Sequence, residues 1–174
     1  MVRILAISGS LRHASSNSTL LRAVAALAPA HISVEIYTGL GELPHFNPDL
    51  EDSEPPSVLD LRSRVANAHA VLICSPEYAH GVPGVLKNAL DWLVGSGEFA
   101  DKPVGLLNAA PRATHAQESL AETLRTMAAR IIPEASITLA IQGAKLDERA
   151  IVEHVEFAPR LRAALEALAS SSNL

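Results

Sequence analysis

Apolar runs of strand length alternate along the whole chain with segments in which apolar residues recur every three to four positions. The strand-like runs cover residues 2–7, 32–37, 70–74, 104–108 and 137–141. Between them, Leu20, Leu21, Val24, Leu27 and Ala28 mark one face of a helix, and Val58, Leu61, Val65 and Ala68 mark another. Val85, Leu86, Ala89, Leu90 and Leu93 predict a third helix, and Leu120, Leu124, Met127 and Ile131 a fourth. Ile151, Val155, Ala158, Leu161, Leu165 and Leu168 trace a last helix that Pro159 kinks or restarts, followed by a frayed tail over 170–174. The strand runs are continuously apolar instead of alternating, as expected of a parallel sheet covered on both faces. The pattern therefore predicts a doubly wound α/β fold with five parallel strands and helices on both faces, as a single domain over 1–174.

Polar segments between these elements locate the site. Ile7-Ser8-Gly9-Ser10-Leu11-Arg12-His13-Ala14-Ser15-Ser16-Asn17-Ser18 joins the first strand to the first helix and holds six Ser or Asn residues between 8 and 18. Helix N-termini carry unpaired N–H groups and partial positive charge, so this loop reads as an anion cradle, with Gly9 allowing close backbone approach. A helix cap needs one such residue; six exceed that need. In a flavodoxin-like strand order, 2-1-3-4-5, ligands bind at the switch point between strands one and three. The loop after strand three is unusual too: Ser75-Pro76-Glu77-Tyr78-Ala79-His80-Gly81-Val82-Pro83-Gly84 combines rigid turn formers with a rare aromatic. A phosphate cradle facing a stiff, partly apolar loop suits a ligand with a phosphate tail and a planar ring, such as FMN.

Composition narrows the classes further. The chain is 48% hydrophobic and 19% charged, and no apolar run reaches the length of a membrane span. No basic segment and short apolar core precede the first strand, so a cytoplasmic location is expected. Net charge is −5 with basic residues scattered, which argues against nucleic acid as a partner. The single cysteine, Cys74, reads as a buried small hydrophobe, and no His/Cys/carboxylate cluster has metal-ligand spacing. Aromatics are only 3% of the chain, which singles out Tyr78, Trp92 and Phe46. The dinucleotide fingerprint, the triphosphatase phosphate loop and the nucleophile elbow are absent from the sequence.

Gly9-Ser10-Leu11-Arg12-x-x-Ser15-x-Asn17, taken with Pro76-Glu77-Tyr78-x-x-Gly81-x-Pro83-Gly84-x-Leu86-Lys87-Asn88-Ala89-x-Asp91-Trp92, resembles the NAD(P)H-dependent FMN reductases. The resemblance implies a flavodoxin-like fold, bound FMN, NADPH or NADH as donor, and small acceptors such as quinones, chromate, azo compounds or free flavin. Carried over by position, Ser10, Arg12, Ser15, Asn17 and Ser18 surround the flavin phosphate. Pro76, Glu77, Tyr78, Ala79, His80 and Gly81 run along the ribityl chain and ring, and Ala110 and Arg112 belong to a third loop, 109–115, that closes over it. That loop lacks the family's glycine and serine, and Ala79 replaces a common asparagine. The cofactor carries the chemistry, so no catalytic side chain is assigned, and one exposed flavin face implies a ping-pong cycle.

The resemblance also implies a homodimer or homotetramer through the helix around 83–94, with Trp92 or Phe99 approaching a neighbouring site; the bland reading of Trp92 is core. Glu77 reads as an anchor of its own turn, His80 as an exposed loop histidine, Lys87 and Asp91 as a weak helical pair, and the long polar stretch 39–56 as a candidate lid. Two other functions share the cradle. One is a flavodoxin-like electron carrier serving protein partners, disfavoured by the modest net charge. The other is a phosphate-binding domain without turnover.

Overall fold

The computed structural model describes residues 1–141, 143–144 and 146–172. Strands β1 (Val2–Ser8), β2 (Ile32–Tyr37), β3 (Ala70–Cys74), β4 (Pro103–Leu107) and β5 (Arg130–Ile131) form one sheet in the order β2-β1-β3-β4-β5, every pair parallel. Helices α1 (Ser16–Leu27), α2 (Pro56–Asn67), α3 (Gly84–Val94), α4 (His115–Thr126), α5 (Glu148–Val152) and α6 (Phe157–Ser171) connect them. The fold is the flavodoxin-like doubly wound sheet.

The pleat divides the core into two layers. In β1 and β3, Ile4, Ala6, Ala70, Leu72 and Cys74 face α1 and α6, while Leu5, Ile7, Val71 and Ile73 face α2, α3 and α4. Both faces are covered, which is why the strand runs are apolar throughout.

The far edge of the sheet departs from expectation. The strand expected over 137–141 is split: β5 pairs with the start of β4, a 3-10 turn at Pro133–Ala135 interrupts it, and the chain rejoins β4 at a single parallel bridge between Asn108 and Thr138. There Asn108 N donates to Ile137 O at 3.0 Å and Leu139 N donates to Asn108 O at 2.8 Å. Pro133 has no N–H to give a ladder, so the strand breaks where it falls.

Helix α4 accordingly ends at Thr126, and Ile131 lies in β5 instead of on its face. The ending is a Schellman motif: Ala129 N donates to Leu124 O and Ala128 N to Arg125 O, with Ala128 at φ 58°. Glycine normally fills that left-handed position, so Ala128→Gly is expected to raise stability by about 1 kcal/mol. An unchanged or lower denaturant midpoint would count against the strain.

Other departures are local. The last helical stretch breaks at 153–156, before Pro159, which lies in the first turn of α6 where its missing N–H costs little. Ser170 and Ser171 are helical instead of frayed, and the end of the expected tail, 173–174, lies outside the described residues. Within the stretch 39–56, Pro44 and Phe46 are tied to α3. Asn88 Oδ1 accepts from Phe46 N at 2.8 Å, Asn88 Nδ2 and Trp92 Nε1 both donate to Pro44 O at 2.9 Å, and Phe46 meets Trp92 edge-on at 5.1 Å. Trp92 is buried within the single chain. Among the described residues, no helix is long and apolar enough to cross a membrane.

Candidate active site at the β1–β3 switch point

Where β1 and β3 end side by side, their loops diverge and leave a recess of about 150 Å³. One wall is the loop before α1, with Ser10, Arg12, Ser15, Ser16 and Asn17. The second is the segment after β3, Ser75, Pro76, Glu77 and Tyr78, and the third is Ala109, Ala110 and Ala113 after β4.

Each wall has a physical anchor. Ser15 caps α1, its Oγ accepting from Asn17 N at 3.2 Å, while the first-turn amides of Ser16 and Ser18 make no hydrogen bond among the described residues. Ser8 and Ser18 hydroxyls pair at 2.8 Å beneath the loop, and Arg12 N donates to Ser10 Oγ at 3.3 Å. Buried Cys74 donates its S–H to Asn17 Oδ1 at 3.1 Å, which leaves the Asn17 NH2 as the free end of an amide lining the recess. Burial pushes the Cys74 thiol up, well out of the range of a reactive thiolate.

The β3 wall is tied to α4. Glu77 Oε2 accepts from Ala116 N at 2.8 Å, placing a carboxylate on the N-terminal turn of a helix whose cap residue, Thr114, supplies no side-chain bond. Glu77 thus anchors α4, not its own turn as expected. Glu77→Ala is expected to cost about 1 kcal/mol, with faster hydrogen exchange at Ala116; unchanged exchange there would refute the anchoring role. Beyond it, Tyr78 N donates to Gly81 O and Gly81 N to Tyr78 O, closing a turn in which Ala79 (φ 49°) and His80 (φ 60°) are both left-handed. That is a type I′ conformation, the setting that favours asparagine or glycine. The His80 ring stacks on His115 at 4.3 Å.

The third wall is folded by a buried side chain. Asn108 Nδ2 donates to Ala113 O and its Oδ1 accepts from Ala110 N, both at 2.9 Å, so one amide closes the loop 109–113 without the usual glycine.

Of the expected site residues, Ser10, Arg12, Ser15, Asn17, Pro76, Glu77, Tyr78 and Ala110 line the recess. Ser18 lies behind it, bonded to Ser8, and Ala79, His80, Gly81 and Arg112 lie outside its lining, in the turn and on the exposed loop beside it. Gly9 marks a close approach of the first two walls. Its Cα packs on Ser75, where an added Cβ would come within 2.5 Å of the hydroxyl. Ser16 and Ser75 were missed as wall residues, although each belongs to a polar run the sequence shows. Asn108 was missed as well; a polar residue closing an apolar strand was its only signal. Among the described residues, no group of three or more His, Cys, Asp or Glu side chains is placed to hold a metal ion.

A parallel doubly wound sheet with a hydroxyl-lined, helix-capped recess at its switch point defines a flavodoxin-like flavin-binding class. The fit is chemical: serine hydroxyls, free first-turn amides and Arg12 suit a phosphate, and the mostly apolar facing walls suit a ring. Residues 2–143 match the family model of the NADPH-dependent FMN reductases. An NAD(P)H-dependent FMN reductase of Pseudomonas aeruginosa is 35% identical over 162 residues, covering 86% of this chain and 87% of that protein. A quinone reductase of Escherichia coli strain K12 is 35% identical over 107 residues, which span 59% of this chain and 57% of that enzyme. The solved structure of a flavoenzyme NAD(P)H:acceptor oxidoreductase from Paracoccus denitrificans superposes with TM-score 0.84 at 29% identity, covering 99% of this chain and 98% of that one. The chain belongs to the NADPH-dependent FMN reductase family. It is an oxidoreductase that uses FMN with NADH or NADPH.

Proposed function

We propose that this protein passes reducing equivalents from NADPH or NADH to a small acceptor, a quinone, chromate, an azo compound or free flavin, in ping-pong order in the cytoplasm. The observation that carries the reading is the meeting of three walls at the β1/β3 switch point: a serine-rich helix N-terminus, a rigid Pro76–Glu77–Tyr78 segment and the alanine loop after β4. The E. coli relative's name supports a quinone as the acceptor.

In this reading Ser10, Arg12, Ser15 and Asn17 hold the flavin phosphate, and Ser18 acts through Ser8. Pro76, Glu77, Tyr78 and the Ala79–His80–Gly81 turn border the ribityl chain and ring, with Ala110 and Arg112 across from them. When bound, FMN supplies the redox chemistry, taking a hydride from nicotinamide and delivering reducing equivalents to the acceptor. The protein's part is to orient and exclude. The recess is too small to enclose a whole flavin, since sites for such ligands usually measure about 300–1,000 Å³. The ring half would therefore reach an open mouth beside exposed Tyr78, accessible to donor and acceptor in turn. Assembly into a homodimer or homotetramer through α3 belongs to the same proposal, supported by Val94, 59% exposed at the end of that helix.

Anaerobic titration of the FMN-loaded protein tests the reading. NADPH or NADH is expected to bleach the oxidised-flavin absorbance, and a quinone to restore it. No bleaching with either nicotinamide would sink the proposal, and kinetics requiring both substrates bound together would sink the ping-pong order.

A further inference from the structure

Cys74, the last residue of β3, is buried in the apolar layer beneath α1 and α6, yet it is bonded to the walls on both sides of it. Its backbone O accepts from Gly9 N at 2.9 Å, which ties β3 to the loop before α1. Its thiol donates to Asn17 Oδ1 at 3.1 Å in the first turn of α1 and accepts from the backbone N–H of Ala109, where the third wall begins. The chain then runs on into Ser75 and Pro76, the second wall.

Packing explains a small side chain at this position. Ala70, Leu72 and Cys74 share a face of β3 with Ala6, Leu107 and Ala109 in the same layer, and an alanine would fit among them. Packing does not explain a polar contact with Asn17.

The chemistry of the thiol sets the direction of that contact. Sulfur is a weak acceptor, and its single S–H is a weak donor. Because the Ala109 N–H occupies the acceptor side, the S–H is what Cys74 offers to Asn17. Burial pushes the thiol up and the Ala109 amide opposes this only in part, so the proton stays on sulfur. Asn17 can answer a donor only with Oδ1, which leaves its NH2 at the other corner of the amide. Asn17 is 8% exposed, and its Nδ2 makes no hydrogen bond among the described residues. Among those residues no side-chain nitrogen or oxygen is both sealed from solvent and without a partner, so this NH2 opens on the recess that Asn17 lines. A flipped amide would turn Oδ1 to the same place and repel an anion there.

We propose that Cys74 is a positioning residue, acting through Asn17 to make the recess select a flavin that ends in a phosphate over one that ends in a hydroxyl. This role rests on the reading of the recess as the flavin-phosphate site. The selection follows from donor and acceptor counts. A hydroxyl both donates and accepts, so it pairs with either end of the Asn17 amide, whereas a phosphate dianion only accepts and needs the NH2.

Riboflavin, which has the ring and ribityl chain of FMN without the phosphate, is the probe. Dissociation constants of both flavins for the full chain freed of flavin are read by fluorescence quenching. Cys74→Ala is expected to weaken FMN binding about fivefold and riboflavin binding less than about twofold. Cys74→Ser keeps a donor and is expected to restore most of the preference for FMN. Asn17→Ala is expected to reduce that preference about tenfold, and Cys74→Ala added to it to reduce it no further, because the thiol then has no amide to orient. Equal weakening of both flavins by Cys74→Ala, the same loss of preference in Cys74→Ser, or additive losses in the double variant overturns the positioning role. The ratio of the two constants is taken on folded protein, so a lower stability of Cys74→Ala does not blur it. A parent chain that binds both flavins alike removes the phosphate reading together with this role. A parent that prefers FMN, and keeps the whole preference in Cys74→Ala, overturns this role alone.

Discussion

Replacing Gly105 with alanine is expected to destabilise the protein by about 2–3 kcal/mol, the upper part of the usual range for overpacking a tight core. The added Cβ would meet Ala135 O and Leu72 Cδ1 at 2.9 Å and Ala135 Cβ at 3.0 Å. One of these is backbone in the Pro133–Ala135 turn, where no rotamer change can relieve it. The turn must lift, and with it the two half-strands that flank it, whose bonds include Ile132 N to Val104 O and Leu139 N to Asn108 O. Equilibrium unfolding in urea, with hydrogen exchange at Ile132 and Leu139, checks both parts. A loss below about 0.5 kcal/mol, the scatter of ordinary surface substitutions, would show that the turn accommodates the methyl group.

That same corner is where the sequence was least legible. Helical spacing from Leu120 through Met127 carried on naturally to Ile131, and nothing at 127–129 signalled a stop, because the left-handed closing position is Ala128 and not glycine. The strand after it is only two residues long before Pro133, too short to register as an apolar run. By contrast, β1, β3 and their loops were legible because local composition alone sets them: continuous apolar runs, then hydroxyls on one side and Pro-Gly turn formers on the other. The recess residues followed from those loops. What did not follow was how the walls are braced, since the Glu77–Ala116, Cys74–Asn17 and Asn108–Ala113 bonds depend on side-chain direction and, in the first two, on contacts between separate elements. Ala79 shows the same limit from another side. Alanine does not announce a left-handed turn, yet the Tyr78–Gly81 closure imposes one on Ala79.

Gly9→Ala is expected to weaken FMN binding about tenfold, corresponding to roughly 1.4 kcal/mol, and to lower stability by about 1–2 kcal/mol. Gly9 is the point where the β1 and β3 walls touch, its N–H donating to Cys74 O at 2.9 Å. A methyl group there would lie 2.5 Å from Ser75 Oγ, 3.0 Å from Ser75 Cβ and 3.1 Å from Leu86 Cδ2. The hydroxyl can rotate away from its bond to Pro76 O, but Ser75 Cβ and the buried Leu86 cannot yield without moving β3's loop or α3. Widening the gap separates the serine-rich wall from Pro76 and Tyr78, so the phosphate and ring halves of the site no longer hold one ligand at once. The assignment predicts its own suppressor. Removing the Ser75 side chain in the double variant Gly9→Ala/Ser75→Gly takes away the two shortest contacts and is expected to recover most of the lost affinity, a coupling that a double-mutant cycle measures directly. Fluorescence quenching of FMN on binding gives the four dissociation constants. If Gly9→Ala binds FMN as tightly as the parent, the two walls do not set the site; if the loss persists unchanged in the double variant, it comes from somewhere other than this contact.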